Sequence, residues 1–101
     1  SGHYVQGHVD TIAVVNRIKK IDKSSTIEFK LNKKFIKYLV EKASITINGV
    51  SLTICNIKKN SFEVSVVPHT LKLTNLINLK NNDIVNVEID ILSKYIKKFY
   101  K

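Results

Sequence analysis

The stretch Ile47-Asn48-Gly49-Val50-Ser51-Leu52-Thr53 decides how this chain is read. Asn-Gly accepts the positive φ angles that a two-residue hairpin loop demands, so Asn48-Gly49 marks a reversal between two strands. In the strand that follows, Ser51, Thr53 and Cys55 share one face, and Val50, Leu52 and Ile54 share the other. The apolar row suits a core. The small polar row can present donors and acceptors to a heteroaromatic ligand, and it suits an ordinary half-buried strand equally well.

Outward from this hairpin, residues 44–47 form its first arm and 50–57 its second. Lys58-Lys59-Asn60 reads as another reversal, leading into a strand over 61–67. Pro68 should stop that strand, because proline has no N–H for the ladder and suits the first turn of a short helix reaching about Leu76. Upstream, 11–18 is apolar and β-branched and reads as a buried strand, and the polar stretch 19–25 turns the chain. Residues 26–31 alternate at period two, with Ile27, Phe29 and Leu31 on one face. Phe35, Ile36, Leu39 and Val40 then recur at helical spacing behind Asn32, a residue able to cap a helix. A last strand covers 84–91. Six strands with two short helices and no βαβ rhythm predict an all-β fold, a closed antiparallel barrel rather than an open parallel sheet.

One domain accounts for the 101 residues, with the barrel over 1–91. In the tail, 92–101, Leu92, Tyr95, Ile96, Phe99 and Tyr100 fall at i, i+3, i+4, i+7 and i+8, which predicts a C-terminal amphipathic helix. Its apolar stripe needs a cover, either its own barrel or further copies of the chain.

Composition narrows the function classes. The net charge of +9 invites a nucleic-acid partner, but the lysines are scattered and Arg17 is the single arginine, so forked contacts to bases and phosphates are scarce. Aromatic residues that would stack bases fall mostly on predicted core faces or in the tail, so no nucleic-acid partner is expected. No apolar run approaches the roughly 20 residues needed to span a bilayer, and no membrane association is expected. One cysteine precludes an internal disulfide, and a reducing, cytoplasmic setting is the simplest expectation; Cys55 itself reads as small apolar filler. His3 and His8 are five residues apart, on opposite faces of a regular strand, so no shared metal is expected.

Four blocks, taken together and in order, carry a family resemblance. They are Gly2-His3-Tyr4-Val5-Gln6-Gly7-His8-Val9-Asp10, the Asn48–Thr53 segment, Val67-Pro68-His69-Thr70-Leu71 with Thr74-Asn75-Leu76, and Val85-Asn86-Val87-Glu88-Ile89-Asp90. In this order and spacing they resemble the carboxy-terminal barrel of riboflavin synthases. The resemblance implies a six-stranded Greek-key barrel that binds 6,7-dimethyl-8-ribityllumazine and riboflavin, and a terminal helix associated with trimers. It places His8, Ser51 and Asp90 in the catalytic set, and His3, Val9, Lys42, Thr53, Val67 and Thr70 against substrate. Taken alone, His8 reads more readily as a structural or exposed histidine than as an acid–base group, and Asp90 as a helix cap.

The implied reaction dismutates two lumazines, moving a four-carbon unit from one ring system to the other. The products are riboflavin and 5-amino-6-ribitylamino-2,4-pyrimidinedione. The C7 methyl is acidic because its anion delocalises into the ring, so the protein must orient two rings, move protons and supply a nucleophile or water. No cofactor is implied. The family's enzyme has two barrels, and its site lies where the amino-terminal barrel of one subunit faces the carboxy-terminal barrel of another. This chain opens almost at the second barrel's first motif, so it is expected to be a piece of a two-barrel protein. The amino-terminal barrel carries a cysteine where this chain has Ser51. An alternative within the same fold is a lumazine- or flavin-binding protein without turnover.

Overall fold

The structure, a computed structural model, describes residues 9–89. Six strands close into an antiparallel barrel: β1 (Thr11–Ile21), β2 (Ser24–Lys30), β3 (Ser44–Ile47), β4 (Val50–Ile57), β5 (Ser61–Val66) and β6 (Ile84–Ile89). Around the barrel the order is β1-β2-β5-β4-β3-β6. Hairpins join β1 to β2 and β3 to β4 to β5, while β6 returns to pair with both β3 and β1 and removes the sheet edges. A short helix, α1 (Lys33–Ile36), lies in the β2–β3 connection. A second, α2 (Pro68–Leu73), followed by a 3-10 turn over Asn75–Asn78, lies between β5 and β6. The predicted barrel and both helix positions are present, but the first helix is a single turn that ends at Ile36, so Leu39 and Val40, expected at helical spacing, lie beyond it and Val40 is exposed. The predicted tail helix, 92–101, and the outer bounds of the barrel, 1–8 and 90–91, lie outside the described residues.

The hairpin at Asn48-Gly49 forms as its sequence requires. Asn48 has φ 49° and Gly49 φ 83°, the pair of positive values of a two-residue type I′ loop. Ile47 then faces Val50 directly, and the register continues through Ile45↔Leu52. Asn48 also ties the loop to β6: its N–H donates to the Asn86 carbonyl at 2.9 Å, and its Oδ1 accepts from the Asn86 N–H at 2.7 Å. With that register, Ile45, Ile47, Val50, Leu52 and Ile54 all point into the core, joined by Val85, Val87 and Ile89 from β6. Phe29 and Phe62, direct partners across β2 and β5, stack with ring centroids 5.4 Å apart and fill the barrel's centre.

Two expectations about β1 need correction. Residues 11–18 are not a fully buried strand: Ala13 and Val15 are buried, but Ile12 is 53% exposed. The strand alternates, and a register shift between Val15 and Arg17 leaves both Asn16 and Arg17 facing out. The polar stretch 19–25 is also mostly strand. Pairing runs through Lys19↔Thr26, Lys20↔Ser25 and Ile21↔Ser24, and the reversal is confined to Asp22-Lys23, with Asp22 at φ 56°. Polarity there reflects the exposed arm of β1 and a tight turn rather than a loop, and Ser25 is buried against β5.

One polar cluster is built into the barrel wall. Glu28 and Glu63 face each other across β2 and β5, where two like charges repel. Lys58 lies between them, its Nζ 3.0 Å from Glu28 and 3.4 Å from Glu63. Glu28 is buried and also accepts from Ser61 Oγ at 2.8 Å and Asn16 Nδ2 at 3.2 Å. Because the Lys58 side chain is exposed, solvent screens the ion pair and it contributes little by itself. The shorter, buried Ser61 bond matters more. It is the leading cause that holds the Glu28 carboxyl below its ordinary value of 4.5, with Lys58 and Asn16 adding to it and burial opposing.

Replacing Asn48 with alanine removes the bond to Asn86 and forces a Cβ-bearing residue without side-chain help into positive φ, at an expected cost of about 2 kcal/mol in urea unfolding. Asn48→Gly keeps the turn and loses only the side-chain bond, so it should cost less; equal losses would mean that the turn conformation is unimportant. The depressed Glu28 pKa stabilises the fold above the unfolded value, and this stability is lost as pH falls below about 4.5 and through the lower folded value. Ser61→Ala should lower stability at neutral pH by about 1–2 kcal/mol and flatten its decline with acid, which unfolding curves between neutral pH and pH 3 would register.

Candidate ligand-binding face

The outward surface of β3, β4 and β5 is where the hydroxyls of the key hairpin are found. Ser51 is half-buried and Thr53 exposed, while Val50, Leu52 and Ile54 between them are buried. Cross-strand register extends the row. Ser44 on β3 faces Thr53, which faces Ser65 on β5, and Ser65 in turn faces Thr26 on β2. One step along the strands, Thr46 faces Ser51, and Glu88 on β6 faces Thr46. At the usual ~4.8 Å spacing of strands, Ser44, Thr53 and Ser65 span ~10 Å, comparable with the long axis of a bicyclic heteroaromatic ring.

The residues at the margins of this face are fixed by backbone contacts. Lys42 lies in the turn before β3 with φ 74°, a left-handed conformation uncommon for lysine, and its N–H donates to the Ile54 carbonyl at 2.8 Å. This places the Lys42 backbone beside the β4 segment that carries Thr53 and Cys55. At the far end of β5, Val67 leads into α2 and is 53% exposed. Thr70, one turn into α2, is buried at 6% exposure, and its carbonyl accepts from Thr74 Oγ1 at 2.7 Å. Val9 is 54% exposed at the entry to β1. The next residue, Asp10, anchors it: the Asp10 N–H donates to Val87 O at 2.9 Å and its Oδ2 accepts from Ile89 N at 2.7 Å.

Thus Lys42, Ser51, Thr53 and Val67 border one continuous surface of β3–β5, Val9 lies across β6 from it, and Thr70 lies within the adjoining helix. His3, His8 and Asp90 lie outside the described residues. Ser44, Thr46, Ser65 and Thr26 were not anticipated. Their signal was present, since Ser44-Ile45-Thr46-Ile47 and Ser65-Val66 alternate like β4, but only the register shows that the polar positions meet.

Cys55 differs from expectation. It is exposed rather than filler, at the register shift between Ile54 and Asn56, and its S–H donates to the Glu63 carbonyl at 3.4 Å. Desolvation, followed by the nearby Glu63 carboxylate, pushes the thiol above its ordinary 9.0, so it stays protonated near neutrality and is a poor nucleophile. No group of three or more His, Cys, Asp or Glu is placed to hold a metal ion among the described residues, and none of their helices is long and apolar enough to cross a membrane.

Comparison with known proteins agrees with this architecture. Residues 6–90 match the lumazine binding domain family. The chain is 44% identical over 98 residues to riboflavin synthase from Actinobacillus pleuropneumoniae, covering 97% of this chain and 46% of that protein. It is 42% identical over 100 residues to riboflavin synthase from Photobacterium leiognathi, covering 99% of this chain and 46% of that protein. In three dimensions it is similar to LumP complexed with riboflavin, with a TM-score of 0.79 and 27% identity over 88% of this chain and 48% of that one. The chain therefore spans about half the length of the curated relatives it matches. Six closed strands in this order, with the family match running from ahead of β1 to the end of β6, establish that the chain belongs to the lumazine-binding domain family, as one of its barrels.

Proposed function

We propose that this barrel binds one molecule of 6,7-dimethyl-8-ribityllumazine or riboflavin on the outward face of β3–β5. Within a two-barrel riboflavin synthase, it supplies half of the site where two lumazines are dismutated. The observation that supports this reading is the in-register hydroxyl row of Ser44, Thr53 and Ser65, with Thr46 and Ser51 beside it. A ribityl chain is itself a row of hydroxyls, and a lumazine ring edge alternates carbonyl oxygens and nitrogens, so both find partners that donate and accept. Val67 offers an apolar wall for the ring, and Lys42 a cation for its carbonyl oxygens.

The two products together contain every atom of the two substrates, so the chemistry requires protons to move and no net oxidant. In this proposal Ser51 faces the reacting ring, and His8 and Asp90 move protons to and from the C7 methyl and the ring nitrogens. Their roles rest on the family resemblance. His3, Val9 and Thr70 complete the substrate contacts on the same ground. The partners follow: an amino-terminal barrel for the second ring, and the trimer that family members form. A second reading, ligand binding without turnover, draws on the likeness to LumP with bound riboflavin. The higher identity to riboflavin synthases favours the catalytic one.

A fluorescence titration of this chain with riboflavin and with the lumazine tests the binding claim. Saturable binding of either is expected, weakened about five- to tenfold by Thr53→Val for the loss of about one hydrogen bond. That exposed, β-branched replacement should change stability by under about 0.5 kcal/mol. Wild-type affinity in the variant would remove Thr53 from the site. In a two-barrel protein containing this barrel, His8→Ala and Asp90→Ala should each lower riboflavin formation at least a hundredfold with affinity within a fewfold; undiminished turnover would end their catalytic assignment.

A further inference from the structure

A cleft of about 540 Å³ lies on a different part of the barrel, between the β1–β2 hairpin and the α2 to 3-10 segment. It contains none of the residues assigned to the hydroxyl face, although Pro68 and Leu71 line it from the helix that also carries Thr70. Its size falls within the range of small-molecule sites, about 300–1,000 Å³. The interior is mainly aliphatic: Ile27 and Leu76 are buried beneath it, Ile18, Leu71 and Leu79 are half-buried along it, and Ser24 and the buried Ser25 add hydroxyls at the β2 side. No aromatic residue lines it among the described residues, so none of these stacks on a planar ring there. Around the opening stand the exposed Lys20, Lys23 and Lys72, three ammonium groups against the single carboxylate of Asp22.

We infer that this cleft binds a medium-chain aliphatic carboxylate, with the chain lying along the isoleucines and leucines and the carboxylate held by Lys20, Lys23 and Lys72. An aliphatic interior without rings selects a flexible chain over a flavin-like body. The basic rim selects an anion over a neutral alcohol. The site is separate from the hydroxyl face and stands whether or not that face binds lumazine.

Isothermal titration of the whole chain with decanoate, octanoate and decanol, below their aggregation limits, tests the assignment. One saturable decanoate site is expected, with octanoate about tenfold weaker for two fewer methylenes and decanol weaker still. Lys20→Glu with Lys72→Glu should weaken decanoate at least tenfold. Lys33→Glu with Lys34→Glu makes the same charge change on α1, away from the cleft, and should leave binding unaltered. The proposal is overturned by the absence of saturable binding, by equal losses in the two double variants, or by decanol binding as tightly as decanoate. Should the first double variant fail to fold, the chain-length series decides, and octanoate matching decanoate refutes an aliphatic site.

Discussion

The register between β3 and β4, set at Asn48-Gly49, is the constraint on which the candidate site depends. Side chains in a strand alternate with period two, so a slip of one residue would turn Ser51 and Thr53 into the core and Val50, Leu52 and Ile54 into water. Burying the hydroxyls unpartnered and exposing three aliphatic side chains would together cost several kcal/mol, a large part of a small domain's stability. Positive φ at two consecutive residues permits a loop of the right hand and length, and Asn48 then fastens that loop to Asn86. The same bonds bring β6 against β3, which closes the barrel. One short loop therefore fixes both the closure and the facing of the hydroxyls.

Neighbouring strands extend that order across the wall. Ser65 meets Thr53 because β5 pairs with β4, and β5 is held on its other side by β2, where Glu28, Lys58, Ser61 and Glu63 form a compensated cluster. Two facing glutamates would weaken that pairing. One shared lysine and one buried hydroxyl turn the repulsion into a contact that joins β2, β5 and the loop before β5. The polar wall is thus supported by a polar device on its margin, while the stacked Phe29 and Phe62 support it from inside.

Much of this was legible in the sequence because local rules and global packing agree. Asn-Gly specified the turn, Pro68 ended β5, Asn32 capped α1 with its Oδ1 accepting from the Lys34 N–H at 2.9 Å, and alternation named the core residues of β2 and β4. The failures share a cause. The ribbon through Lys19 and Lys20 looked like a loop because Lys19, Lys20 and Ile21 are all exposed, and period-two patterning is silent along that arm. Ile12 looked buried because an apolar side chain does not reveal which side of a barrel it faces. Cys55 looked like filler because a free thiol is so often buried, although alternation already placed it on the outward face with Ser51 and Thr53. Ser44, Thr46 and Ser65 were visible as residues but not as a site, since their meeting is a property of register between strands.

In the function proposed above a single barrel supplies half of a catalytic arrangement, and the geometry of the hydroxyl face gives a physical reason for it. The face lies on the outside of a closed barrel, whose interior is filled by side chains and has no room for a ring system. A ligand placed there has protein on one side and water on the other. Hydrogen bonds from Ser51 and Thr53 can orient such a ligand, but they compete with solvent, and a carbanion forming on an exposed methyl would be quenched by water. A reaction between two such rings needs both held in attacking geometry, where fixed orientation is worth several orders of magnitude in rate. A second surface laid over the first accomplishes both at once: it brings the other ring and excludes water. Under that proposal, binding by the isolated barrel and chemistry by a pair of facing barrels are physically separable demands on the same residues.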